Sequence, residues 1–315
     1  MNLRCAVERS LQTPSSYWAL LVYIVLAALF SQERLLNSDC SLQLYRSIND
    51  GSFFFQEGRY GMFITQVPML VGVRLHWPMK TLIWLYSLGL ACTYGACVII
   101  AQHVFKSPAA ALAIMLSLIV GVGDSFFHAT TETHLLLAMS GLLFASMEWM
   151  AGCTRRARAY PVVGILTLWC LFTHPNALFT VGFVVMLAIS SKYLRWREGS
   201  WVLLLCGIYF GSRLCFMPES SYDGQQFRSL MGSGRYLSGF WQLFPVWFIR
   251  QYLENEYVAV VAILLVLMVF YRPLPKLLLV IASATVFWFL TILTFHEGGG
   301  EAMMEKSFMP GIFML

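Results

Sequence analysis

Charge is what this sequence has least of: only 12% of its 315 residues are Asp, Glu, Lys or Arg, while 58% are hydrophobic. Soluble domains carry about 25% charged residues, so the polar surface is too small to coat a water-soluble particle. That excludes a soluble enzyme, a secreted module and a disordered chain. No CxxC pair occurs among the eight cysteines, which removes a zinc or redox framework. Cys92, Cys97, Cys170 and Cys206 instead sit inside apolar runs, where cysteine behaves as a small hydrophobe. Internal repeats and low-complexity tracts are also absent, so residues 1–315 are read as one integral membrane domain.

What is present is a series of apolar runs. About nine of them approach the roughly 20 residues that a helix needs to cross a bilayer. They cover 17–31, 81–103, 108–123, 133–151, 160–173, 176–191, 200–216, 257–271 and 275–295. Arg4 and Arg9 before the first run also suit a signal peptide, but no A-x-A site follows and many runs come after it. The fold class expected is all-α, a polytopic helical bundle.

The net charge of +5 does not mark a nucleic-acid partner, because the basic residues fall in short clusters between apolar runs. With a cytoplasmic N-terminus, eleven of the 21 Lys and Arg fall in the short inner segments, which are net positive. Every short loop then obeys the positive-inside rule. Two outer segments are long, 32–80 and 217–256, and loops held by a rigid scaffold commonly carry function.

The first outer loop is not linker-like. Leu42, Leu44, Tyr45 and Ile48 recur at helical spacing behind Ser38 or Asp39 as N-cap, and Asp50-Gly51 ends the helix. A second amphipathic segment follows at 59–76, with Pro68 as a kink. Such helices lie in the membrane interface. Asp39 is expected there, opening onto a cavity between this helix and the spans.

Further titratable groups gather on the same side: Asp124, His128, Glu132, His134, His174, His296 and Glu297. Ionisable groups near membrane depth are costly and tend to mark a site. His128 and Glu132, four apart, could share a helix face, although a capping or packing role accounts for most single histidines. Arg46, Arg59 and Arg213 could bind phosphate through a guanidinium fork, against the alternative of snorkelling to lipid headgroups. Arg59 stands out because it sits in Gln-Glu-Gly-Arg-Tyr-Gly, where glycines allow close backbone approach. Tyr60 could stack on a sugar or join an interfacial aromatic belt.

These residues carry a resemblance. The string Asp39, Arg46, Asn49-Asp50-Gly51 and Gly58-Arg59, behind one N-terminal span, resembles the GT-C glycosyltransferases. Within them it looks like the bacterial serotype-converting, O-antigen-modifying glucosyltransferases, and Thr173-His174-Pro175 is similar to a feature of some bacterial members. The resemblance implies an inverting enzyme of the bacterial inner membrane, with its site facing the periplasm. It would take a sugar from a polyprenyl-phosphate carrier and pass it to a glycan, lipid or protein acceptor of the cell envelope. Asp39 would be the general base, and Arg59, with Arg46, would neutralise the lipid-phosphate leaving group. Many relatives place a second acid beside the first, whereas Cys40 follows Asp39 here, so Asp50 and Glu57 stay open as the base. The polyprenyl-phosphate sugar is the donor substrate, and a divalent metal requirement stays open. Two other readings compete: a transporter or lipid flippase, and a non-catalytic subunit of an envelope assembly.

Overall fold

The computed structural model describes residues 17–216 except 37 and 127, residues 274–294, and a few isolated positions between 224 and 246. Among the described residues the chain is helical, with no strand. The predicted run at 257–271, nearly all of the loop at 217–256, and His296 and Glu297 lie outside the described residues.

The helices are α1 (Trp18–Leu29), α2 (Ser38–Asp50), α3 (Phe63–Arg74), α4 (Met79–Ile99), α5 (Pro108–Ser125), α6 (Glu132–Gly152), α7 (Tyr160–Thr173), α8 (Ala177–Ser190), α9 (Trp196–Phe216) and α10 (Leu274–Thr294). A π-helical turn, Ile100–Val104, extends α4. Among the described residues, three helices are long and apolar enough to cross a membrane: Met79–Val104, Glu132–Gly152 and Trp196–Phe216. Shorter apolar helices accompany them, such as the 12-residue α1 and the 14-residue α8. Fourteen residues rise only about 21 Å, less than a hydrocarbon core of about 30 Å.

α6 is the centre of the bundle. Leu135, Leu136, Leu143, Ala145 and Met147 on it are all fully buried, as are Tyr94 on α4, Cys170 on α7 and Val184 on α8. α9, by contrast, shows Trp201, Leu204 and Ile208 on its surface.

The connections sort to two ends. One, the first-loop end, carries residues 30–78 and the links 126–131 and 174–176. The other, the basic end, carries 105–107, 153–159 and 191–195. Polar bonds tie each together. At the basic end Ser107 and Tyr193 both donate to Glu148, and Arg156 pairs with Glu198 at 2.9 Å.

The first loop departs from its periodicity in one informative way. α2 begins at Ser38, so Asp39 lies inside the first turn, near the positive pole of the helix dipole. Gly51, at φ +58°, takes the left-handed conformation that ends the helix. The stripe that faces the bundle is Cys40, Gln43, Leu44 and Ser47, while Leu42 and Tyr45 point outward. Polar partners decide this. Gln43 Oε1 accepts from the Tyr86 hydroxyl at 2.9 Å and from Thr130 at 3.1 Å. Ser47 Oγ donates to Gln66 Oε1 at 3.3 Å, and Gln66 also bonds the backbone of Phe54 at both polar atoms. A buried amide without partners would cost about 1–3 kcal/mol, so these hydrogen bonds hold α2 in register together with the apolar contact of Leu44 and Cys40 with Met69, Leu70 and Leu82. The second segment, α3, keeps Pro68 within it and packs along α4, burying Thr65, Gln66, Met69 and Leu70.

Candidate functional site

The first-loop end brings several of the singled-out residues together. A short turn, Tyr60–Met62, carries the loop across α7. It can do so because of Gly61: a Cβ there would stand 2.8 Å from the Thr173 Cα. The Gly61 carbonyl accepts from Trp169 Nε1 at 2.9 Å, which fixes the crossing point. Aromatic rings extend the contact. Phe63 stacks on Trp169 at 5.5 Å, Tyr60 meets Phe172 at 6.2 Å, and Phe172 meets Tyr209 at 5.0 Å.

This crossing puts Arg59 beside the start of α6. Its Nη1 lies 3.5 Å from Glu132 Oε2, with both side chains mostly shielded from solvent (12% and 18% exposed). Glu132 is the first residue of α6, and Thr131 caps that helix by accepting from the His134 backbone N–H at 3.3 Å. His128 therefore lies in the link before the helix and shares no helix face with Glu132. His134 is buried in a structural role, its Nδ1 2.9 Å from Thr131 Oγ1 and its carbonyl bonded by Tyr94.

His174 ends α7 and is 8% exposed. Its Nδ1 accepts the Asn176 backbone N–H at 3.1 Å, so in the neutral ring the proton sits on Nε2. Burial holds its pKa well below the ordinary histidine value, and the charges of Arg59 and Arg213 add to that. Arg213 is itself placed by α9, where its Nη1 donates to Tyr209 at 3.0 Å. The result is a group of two guanidiniums, one carboxylate and one neutral imidazole, with exposed Tyr60 on the same turn as Gly61.

Asp39 lies on another flank. It is exposed on the first turn of α2. Next to it Cys40 is buried, donating to the Thr130 carbonyl at 3.4 Å; burial pushes its thiol pKa up, and Glu132 adds to this. The stretch 130–132 thus touches both flanks, through Cys40 on one and Arg59 on the other. Asp50 ends the same helix eleven residues later, about 16 Å along the axis, where Asn49 donates to it at 3.0 Å. Arg46 is exposed on α2, and Glu57 falls in the turn Gln56–Gly58. Among the described residues no group of three or more His, Cys, Asp or Glu is arranged to hold a metal ion.

One residue of this end carries no sequence signal at all. Arg34, between Glu33 and Leu35, is fully buried. Its Nη2 donates to the carbonyls of His128 at 3.1 Å and Ala129 at 3.4 Å, and its guanidinium lies over the rings of Phe126 and Tyr23 at 5.2 and 5.5 Å. It clamps the link that presents Thr130, Thr131 and Glu132.

Compared with known protein families, curated proteins and solved structures, the chain matches none.

Proposed function

We propose that the chain is a membrane glycosyltransferase that moves a sugar from a polyprenyl phosphate to an envelope acceptor. The observation that supports it best is the meeting of Arg59, Arg213, neutral His174 and Glu132 at the loop-bearing end of a bundle with membrane-length helices. A lipid phosphate brings a fixed negative charge to that level, and guanidiniums in a shielded place hold it strongly.

In this reading Asp39 takes the proton of the acceptor hydroxyl while the oxygen attacks the anomeric carbon. The bond from that carbon to the phosphate oxygen breaks, the electron pair stays on the phosphate, and the sugar inverts. Arg59 stabilises the charge that grows on the leaving phosphate, which lowers the barrier more than it tightens ground-state binding. Asp39 is preferred to Asp50 because its neighbour Cys40 bonds Thr130, two residues before Glu132, whereas Asp50 is a helix length away. Exposed Tyr60 offers a face for the sugar ring. The periplasmic face, the bacterial inner membrane and about nine spans with a cytoplasmic N-terminus belong to the same proposal, on the strength of the basic inner loops.

The test is transfer by Asp39→Asn in inverted and right-side-out membrane vesicles supplied with polyprenyl-phosphate glucose. Loss of transfer with unchanged protein level supports the assignment. Full activity would contradict Asp39 as base, and movement of the intact lipid without sugar transfer would favour a flippase.

A further inference from the structure

At the basic end, far from the loop site, α6, α7, α9 and the link before α9 line a half-open cavity of about 550 Å³. That volume lies within the range of about 300–1,000 Å³ typical of small-molecule sites. Its wall is apolar, including Met150, Val163, Val202 and Leu205. Gly164 opens on it, and a Cβ at that position would meet nothing within 4 Å. The polar side is made by Arg195, Arg197, Glu198 and Tyr160, with Trp201 alongside.

The charges at this rim do not cancel. Glu198 is fully engaged: Arg156 Nη1 donates to its two oxygens at 2.9 and 3.2 Å, Tyr160 donates at 3.2 Å, and the Arg195 backbone N–H donates at 2.9 Å. Arg195 and Arg197 are exposed and form no ion pair among the described residues. An apolar hollow under two uncompensated guanidiniums, flanked by exposed Trp196 and Trp201, matches one chemistry: an anionic head on a hydrocarbon chain. Basic pockets between membrane helices take such headgroups, and Trp favours the headgroup level.

We propose that this cavity is a binding site for an anionic phospholipid, with the phosphate between Arg195 and Arg197 and the upper acyl chain against Gly164. It rests on the helices lying in a membrane and is independent of the transfer reaction.

The test uses the full chain in nanodiscs, with bound lipid read by native mass spectrometry. Phosphatidylglycerol should be retained over phosphatidylcholine on the order of tenfold. The double variant Arg195→Ala, Arg197→Ala should lose that preference, and Arg195→Lys, Arg197→Lys should keep most of it. Gly164→Leu fills the hollow and should expel both lipids, while leaving the unfolding temperature unchanged or higher. Soluble glycerol phosphate, which has the head without the chain, should not bind. Equal retention of the two lipids would overturn the proposal. So would lipid binding untouched by the arginine pair and by Gly164→Leu, or glycerol phosphate binding as tightly as the lipid.

Discussion

Arg59 reaches Glu132 at 3.5 Å across more than seventy residues of sequence, so the first loop and the start of α6 form one charged unit. The pair depends on how closely the loop can cross α7, and that in turn depends on Gly61.

A methyl group at Gly61 would collide with the Thr173 backbone, so Gly61→Ala should behave as an overpacked contact, costing about 1–3 kcal/mol. Gly182→Ala, in open space within α8, should be neutral or stabilising by up to about 1 kcal/mol. Thermal unfolding in detergent compares the two. Equal midpoints for both variants would contradict the close crossing.

His174 gives a pH dependence with a definite sign. Its folded pKa is lowered by burial and by Arg59 and Arg213, so the folded chain excludes a proton that the unfolded chain binds below about pH 6.5. The stability is present above that pH and is lost as pH falls below it. The unfolding midpoint should therefore drop between pH 7.5 and pH 5.5, and His174→Gln should drop less. Parallel curves for the two proteins would contradict a neutral buried His174.

Much of this end could be read from sequence, and the part that could not is all non-local. The apolar run at 81–103 became a helix at Met79–Val104 and the run at 133–151 one at Glu132–Gly152, because length and apolarity are local properties. Asp50-Gly51 likewise ended α2 where turn chemistry said it would. The face that α2 buries was legible only in Leu44 and Ile48; its polar part was not, since the partners Tyr86, Gln66 and Thr130 lie 19 to 87 residues away. Of the four residues that periodicity picks out, Leu44 and Ile48 face the bundle while Leu42 and Tyr45 point outward. His128 and Glu132 had helical spacing, yet Thr131 caps the helix between them. Arg34 and the Arg59–Glu132 pair needed the three-dimensional contacts.

The Gln43–Tyr86–Thr130 network should be worth more than its polar character suggests. Gln43→Leu removes the acceptor for two buried hydroxyls and should cost about 1–3 kcal/mol, despite adding apolar surface. Chemical unfolding of the two proteins measures it. A stabilised Gln43→Leu would show that α2 is held by apolar packing.

The proposed sidedness rests on the charge of the loops. A cysteine introduced at exposed Ser52 should react with an impermeant maleimide in intact cells, and one at exposed Ala157 should not. Labelling at Ala157 from outside would reverse the orientation. The native Cys40 should stay unlabelled in either case, because it is buried and its thiol pKa is raised.

The most direct test of the proposed transfer is turnover of polyprenyl-phosphate glucose by the purified full chain in liposomes that carry an O-antigen lipid acceptor. Lysine keeps the charge at position 59 but loses the two-pronged guanidinium, so Arg59→Lys should retain part of the rate. Arg59→Ala should lose on the order of a hundredfold or more, with folded protein intact. Release of polyprenyl phosphate by Arg59→Ala at the unmutated rate would contradict the account.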